Sequence, residues 1–483
     1  MSVLESFRAD LAAPRLAERL AAGLVGHDAV IEGPFGPKPM VYCDYVASGR
    51  ALRQVEEFVL TKVLPFYANS HTRASHCGAY TTGLREEIRA EIGRIVGAGP
   101  EQSVIFAGSG STAGLNRIAM LLDIPGVLAA GGRAVVLVGP YEHHSNLLPW
   151  RESGAEVIEI PESEAGGPDM AALDRVLAEV AGAALVVGAF GAASNVTGIL
   201  TDVEAVTRRL KAAGALAVWD YGCAGPYTPM TMGHGTDAAK DAIVFSSHKF
   251  PGGPGGSGVM VLDPAVARRR TPTLPGGGTV AFVSPWGHVY SDDLADREEG
   301  GTPNVVGDIR AGLSLMIKAA LTDQWLADRQ EALRRRAEAV WAANPRIELL
   351  GRERSAAKLP IFSFRVRDGK DALVHHQLFT RMLSDIHGIQ ARGGCACAGS
   401  YAHRLLGLDE ETSAAIVAAL EAGIETEKPG WVRLNLSALM SDEKVDFVIE
   451  AVDSLAREAS DRASAYAADT AHARFTARAL TEV

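Results

Sequence analysis

A single lysine, Lys249, stands in SSHKFPGGPGGSG (246–258), between a polar triplet and a run of glycine and proline. An amine there is either a surface charge on a turn or a nucleophile. Lysine becomes a nucleophile toward carbonyl carbon when its surroundings disfavour the charged form. Other reactive residue types stand at the ends of the preceding apolar runs. FAGSGSTAGLN (106–116) brings Ser111 and Thr112 to a Gly/Ser/Thr turn at a helix start, and LAVWDYGCAG (216–225) closes on Asp220. Such a turn presents N–H groups and hydroxyls to a phosphate.

Each feature alone has an ordinary reading. Ser111 or Thr112 can simply cap a helix, and Asp220 can cap the next segment. His143 in GPYEHHSNLLPW (139–150) can be a solvent-facing loop residue, or it can stack on an aromatic ligand and shuttle protons. Asn195 in ASNVTGIL (193–200) reads as a turn residue. Gly108, Gly110 and Gly114 form an imperfect dinucleotide fingerprint, with Glu142 near the place of a ribose-binding acid. A nicotinamide dehydrogenase, however, has no use for Lys249 and Asp220. Pyridoxal 5′-phosphate (PLP) needs a Schiff-base lysine, a carboxylate for its pyridinium nitrogen and a phosphate cup. Lys249, Asp220 and the 110–112 turn supply all three, with Ser246 and His248 available to complete the cup.

The elements that must position these residues are legible as short apolar runs. SVIFAG (103–108), AVVLVG (134–139), ALVVGAF (184–190), LAVWD (216–220), AIVFSS (242–247) and GVMVL (258–262) read as buried strands. Helix-length segments such as GLREEIRAEIGRIV (83–96) and DVEAVTRRLKAAG (202–214) lie between most of them. The alternation predicts an α/β fold with a mostly parallel sheet flanked by helices, whose ligands bind beyond the carboxyl ends of the strands. After about residue 315 the pattern predicts one long helix (315–343). Then come IFSFRV (361–366), GIQARGG (388–394) and WVRLNLS (431–437), forming a smaller α/β C-terminal domain. The expected boundaries are an N-terminal segment, 1–40, packing with the small domain; a large PLP-binding domain, 41–315; a small domain, 316–460; and a C-terminal helical tail, 461–483.

Composition narrows the function classes. The 483 residues are 47% hydrophobic and 22% charged, as in globular proteins, and long enough for two domains. A net charge of −11 argues against nucleic-acid binding, which needs a basic footprint. The longest apolar run, AGAALVVGAF (181–190), is too short to span a bilayer, and Glu5, Arg8 and Asp10 stand where a signal peptide needs apolar residues. Five cysteines in a chain of this size form no disulfide framework. A cytoplasmic enzyme with no membrane or nucleic-acid partner is expected.

From VYCDYVASG (41–49) to WVRLNLSALMSDEKVD (431–446) the chain resembles the class V aminotransferases, which are fold-type I PLP enzymes, and within them the cysteine desulfurase and selenocysteine lyase branch. The resemblance implies a role for each motif. Ser111 and Thr112 would hold the phosphate, His143 would stack on the ring, Asn195 and Asp220 would contact the pyridoxal, and Lys249 would be the Schiff-base lysine. LPGGGTV (274–280) and REEGGTPN (297–304) resemble segments near a dimer interface, which implies a homodimer with Thr279 reaching the partner's phosphate site. Arg433 in RLNLS (433–437) would clamp the substrate carboxylate in the bidentate manner that suits guanidinium. Arg392, His76 and Ala47 would complete the substrate side.

QARGGCACAGSY (390–401) corresponds to the loop on which desulfurases carry the cysteine that takes sulfur as a persulfide. The spacing from Arg392 puts Cys397 at that position, with Cys395 a second candidate. Both can also be small buried residues, and no second ligand pair accompanies them for zinc. Two departures stand out. Cys223 occupies the place of a glutamine that bonds the cofactor's phenolate oxygen, and a thiol is a poorer donor. GGCAC also lacks the histidines that precede the loop cysteine in relatives. The reading is a homodimeric PLP-dependent cysteine desulfurase or selenocysteine lyase that forms alanine from a small amino acid, with a sulfur-acceptor protein as partner. The alternative is another class V PLP enzyme: a C–S lyase, an epimerase or an aminotransferase.

Overall fold

The computed structural model describes residues 3–478 apart from 71, 371 and 396. The described residues form two compact units, one within 3–23, 48–194 and 200–325 and the other within 24–47, 195–199 and 326–478.

The first unit is built on a seven-stranded sheet: β1 (Ser103–Gly108), β2 (Ala134–Val138), β3 (Glu156–Glu159), β4 (Leu185–Gly191), β5 (Leu216–Asp220), β6 (Ala242–Ser246) and β7 (Gly258–Leu262), in the order β1-β7-β6-β5-β4-β2-β3. The pairings from β3 through β2, β4 and β5 to β6 are parallel, and β7 runs antiparallel to both β6 and β1. All residues of β2, β6 and β7 are buried, which is why these strands read as unbroken apolar runs rather than alternating ones. The helices of this unit include α1 (His76–Ile95), α2 (Gly110–Leu121) and α3 (Val305–Ala320). A Cβ on Gly312 would lie 2.5 Å from Cγ2 of Ile88, so the glycine lets α3 lie close against α1. This is the fold-type I architecture, with a mostly parallel central sheet between helices.

The second unit begins where the predicted long helix breaks. Instead of one helix over 315–343, α3 ends at Ala320 and α4 spans Asp323–Trp341. Thr322 adopts a left-handed φ of 62°, and its Oγ1 accepts the Trp325 N–H. The hydroxyl offers the backbone an N-cap in competition with helix propagation, and the cap wins. An antiparallel sheet follows: β8 (Ile347–Leu349), β9 (Ile361–Arg367), β10 (Leu373–Val374), β11 (Arg392–Gly394) and β12 (Trp431–Asn435), in the order β8-β9-β12-β11, with β10 also on β9. Helices α5 (His376–His387), α6 (Gly399–Leu406), α7 (Glu410–Glu421) and α8 (Asp442–Arg462) complete the unit. Its core gathers Trp341, Phe362, Phe364 and Phe379 with Val448, Val452 and Leu455 of α8.

Both termini depart from expectation. Residues 3–23 belong to the first unit, where Phe7 packs edge-on to Phe58 with ring centroids 5.3 Å apart, and within the N-terminal segment only residues from Leu24 onward group with the second. The tail is not helical. Beyond Arg462 the chain turns back as a hairpin of β13 (Tyr466–Asp469) and β14 (Arg474–Ala477). The apolar stripe of α8 ends at Ala459, and Tyr466 and Phe475 then pack on Phe35 and His375 instead. Residues 479–483 of the expected tail, like residues 1 and 2 of the N-terminal segment, lie outside the described residues. No described helix is long and apolar enough to cross a membrane.

Candidate active site

Four strand ends of the first unit carry its reactive side chains. Gly258, at the start of β7, pairs with Gly108 of β1 on one side and Ser246 of β6 on the other, which brings the 108–112 turn and the SSHK segment to one end of the sheet. Ser111 N–H donates to Ser246 Oγ at 2.8 Å, and the two hydroxyl oxygens lie 3.0 Å apart. Gly110 (φ 61°) forms the floor of this turn. A Cβ there would meet Ser246 Oγ at 2.8 Å and His248 Cε1 at 3.2 Å. Only glycine keeps that space open. The glycine run after Lys249 has a similar cause, since a Cβ on Gly253 would fall 1.8 Å from the Ser247 carbonyl oxygen. The loop folds back onto the SSHK segment, and Ser247 Oγ bonds the Ser257 carbonyl at 2.6 Å.

Asp220 is buried at the end of β5. Burial pushes its carboxyl up, opposed by the Gly222 N–H bond at 2.7 Å, the positive charge of Lys249 and the Ser111 hydroxyl. Asp220, Lys249, Ser111 and Ser246 thus form one connected group. His248 is held below the usual imidazole range by burial and by Lys249. Thr112 Oγ1 lies 2.6 Å from Ser145 Oγ, itself 3.1 Å from His143 Nδ1. The Ser145 N–H also donates to Nδ1, so neutral His143 carries its proton on Nε2. Cys223 is half-buried in the turn after β5.

Glu142 does not have the role that the dinucleotide reading needs. It is buried, and its oxygens accept the N–H groups of Gly139 (3.1 Å) and Gly191 (2.8 Å) and the Asn146 amide (2.5 Å). Three of its lone-pair sites are taken by bonds within the protein, and the group is buried rather than open to a ribose. It holds the ends of β2 and β4 and the His143 turn together. Burial pushes this carboxyl up to about 8, against those donors and with a contribution from Asp220. The folded-state value exceeds the ordinary 4.5, so the folded protein binds the extra proton in between and this group's stabilisation falls as pH rises from about 4.5 to about 8. Glu142→Gln would set its NH2 against Asn146, which cannot flip without losing the bond from Trp150 Nε1 to its Oδ1. A loss of about 1–3 kcal/mol is expected, together with a flatter dependence of Tm on pH across that window, both read by thermal unfolding.

Thr279, expected to serve a partner's phosphate site, is 0% exposed, with its hydroxyl donating to the Gly276 carbonyl at 2.7 Å. His76 is exposed at the start of α1 against Phe66 and Tyr80.

The second unit holds the remaining candidates. Arg392 and Arg433 are direct register partners on β11 and β12, and both bind Asp44. Arg433 Nη2 lies 3.1 Å from Oδ1, while Arg392 Nε and Nη2 lie 2.9 and 2.8 Å from Oδ2. Arg433 Nη1 donates to the Asn195 carbonyl at 3.2 Å, and its Nε is buried with no hydrogen-bond partner among the described residues. Ala47 closes the turn that begins at Asp44. Arg392 is raised, the Asp44 carboxylate outweighing its burial, with smaller contributions from Tyr42 and the Cys397 sulfur. Cys397 is exposed and Cys395 half-buried; neither is in a disulfide. Cys43, by contrast, is fully buried and pushed up to about 12 by burial and by Asp44, so it is no nucleophile. Asp44 is the residue that motif reasoning on the sequence passed over. Asp44→Asn would leave buried Arg433 facing Arg392 without a counter-charge. A loss of about 3 kcal/mol is expected, with Asp44→Glu recovering part of it, as measured by urea unfolding.

The model of the family described as aminotransferase class V matches residues 41–448. The chain belongs to that family. Its members are PLP enzymes, and the chain is an enzyme of this kind. It is 31% identical to a probable cysteine desulfurase of Pyrococcus abyssi over 287 residues, which is 58% of this chain and 66% of that protein, just under two thirds of its length. It is 26% identical to a cysteine desulfurase of Serratia proteamaculans over 371 residues, 75% of this chain and 85% of the other. Among solved structures, the apo cysteine desulfurase of Thermococcus onnurineus superposes with a TM-score of 0.69 at 24% identity, covering 86% of this chain and 94% of that one. A cysteine desulfurase of Escherichia coli in its S-sulfonic acid form gives 0.69 at 22%, covering 91% and 98%. These structural likenesses concern the fold.

Proposed function

We propose that the protein is a PLP-dependent cysteine desulfurase that converts L-cysteine to alanine and takes the sulfur onto Cys397, with L-selenocysteine as a second substrate. The observation that carries this reading is the Arg433–Asp44–Arg392 cluster, with the exposed Cys397 thiol on the segment that follows Arg392. The residues of the first unit fit the cofactor. The Gly110 turn keeps a cradle that a Cβ would fill, with Ser111, Thr112, Ser246 and His248 as phosphate donors. Asp220 is a buried carboxylate suited to the pyridinium nitrogen, and Lys249 is the Schiff-base lysine. When bound, PLP supplies an electron sink for the substrate's Cα.

The chain's own residues do the rest. Lys249 moves protons at the substrate carbons. His143, with its proton on Nε2, stacks on the ring and assists. The buried Arg433 Nε retains a donor that a substrate carboxylate would satisfy, and Asp44 fixes the guanidinium plane. The Cys397 thiolate attacks the substrate sulfur, the carbon–sulfur bond breaks, and a proton on the carbon completes alanine. A homodimer, a sulfur-acceptor protein and a cytoplasmic location belong to the same reading. The test is direct. Purified protein supplied with PLP should show a borohydride-sensitive band at roughly 410–430 nm and should form alanine from L-cysteine. A band with no alanine formed would overturn desulfuration and leave the PLP reading standing.

A further inference from the structure

Resting on the desulfurase reading, we propose that Cys395 is a resolving thiol that attacks the persulfide on Cys397, so that this enzyme releases sulfide and stores the oxidation as a Cys395–Cys397 disulfide. Three observations place the two thiols for this. First, the two cysteines are two positions apart in the chain, and the Ala398 N–H bonds the Cys395 carbonyl at 3.4 Å. Two trans peptides span about 7 Å when fully extended. Any bend between the two residues brings that separation into the roughly 4.4–6.8 Å window between Cα atoms that a disulfide accepts. Second, Cys397 sits at φ 55°, in the left-handed region that a side chain other than glycine or asparagine rarely adopts. Such a position persists only where the surroundings hold it, and it costs on the order of 1 kcal/mol or more. Here Cys397 stands between β11, anchored through Arg392 to Asp44, and the first turn of α6. Third, neither thiol is bridged, and Cys397 is exposed while Cys395 is half-buried.

The step balances. Cys395–S⁻ attacks the inner sulfur of Cys397–S–SH. A sulfur–sulfur bond forms between the two residues, the bond to the outer sulfur breaks, and HS⁻ leaves with the electron pair. The persulfide is the oxidant, and a dithiol reductant must restore both thiols before the next turnover.

The experiment uses the full-length enzyme loaded with PLP, freed of reductant, mixed with a few equivalents of L-cysteine and quenched in acid. Alanine and sulfide are counted, and the tryptic peptide 393–404, which contains both cysteines, is weighed. Wild type is expected to give one alanine and one sulfide per subunit, with the peptide lighter by two hydrogens and turnover resuming only on adding dithiothreitol. Cys395→Ser is expected to give one alanine, no sulfide and a peptide heavier by one sulfur. A wild-type peptide that keeps the extra sulfur, with no sulfide released, overturns the proposal. A parallel arm treats the resting enzyme with inorganic polysulfide, which loads sulfur without catalysis. Disulfide there, without alanine from L-cysteine, would support the resolving chemistry while refuting the desulfurase reading. No disulfide in that arm, with Cys397 persulfidated, overturns the resolving role whether or not alanine forms.

Discussion

Lys249→Ala is expected to abolish the borohydride-sensitive absorbance and to lower alanine formation from L-cysteine by about 10³-fold or more, because one amine serves as both covalent anchor and proton carrier. The structure adds a consequence that a simple loss of function would not carry. The positive charge of Lys249 is one of the influences holding the buried Asp220 carboxyl down against its burial. Without that charge Asp220 shifts further up, so on acidification its carboxylate, and with it its grip on the cofactor, is lost at a higher pH than in wild type. PLP affinity of the variant should therefore be weaker and more pH-dependent than wild type, read by dialysis and absorbance. A Lys249→Ala protein that retains the band and the turnover would refute the assignment. One that loses both but binds PLP with the wild-type pH profile would refute the coupling to Asp220.

Cys397→Ser is expected to remove alanine formation from L-cysteine by about 10²-fold or more, since a hydroxyl cannot accept sulfur as the thiolate does. Turnover of L-selenocysteine should survive within about tenfold, because selenium can leave without a persulfide. That contrast separates the chemistry from damage to the fold. Cys397 follows β11, whose Arg392 is tied through Asp44 to Arg433, so a variant that merely disturbed this cluster would impair both substrates alike. Equal loss of both would mean that the thiol positions the loop. Unchanged L-cysteine turnover would exclude persulfide chemistry at this residue.

Six of the seven strands between 103 and 262 were legible because they are mostly apolar, three of them buried along their whole length, whereas the edge strand β3, with a glutamate at each end and no buried residue, gave no such run. Lys249, Asp220 and the 110–112 turn were legible for a related reason: chemistry gathers at strand ends, and strand ends are local features of a chain. Residue order alone therefore determined the fold class and the candidate cofactor set. What the tertiary structure decided involves partners far apart in sequence, or two local preferences in competition. Asp44 meets Arg392 and Arg433 only because β11 and β12 pair in one register, which no spacing along the chain records. Glu142 changed from a conceivable ribose ligand to a brace because the ends of β2 and β4 turn their N–H groups onto it. Thr322 ended a helix that periodicity would have continued, a hydroxyl cap prevailing over propagation. The tail became a hairpin because Tyr466 and Phe475 found Phe35 and His375 to pack against, and those partners are fixed only once the chain has folded.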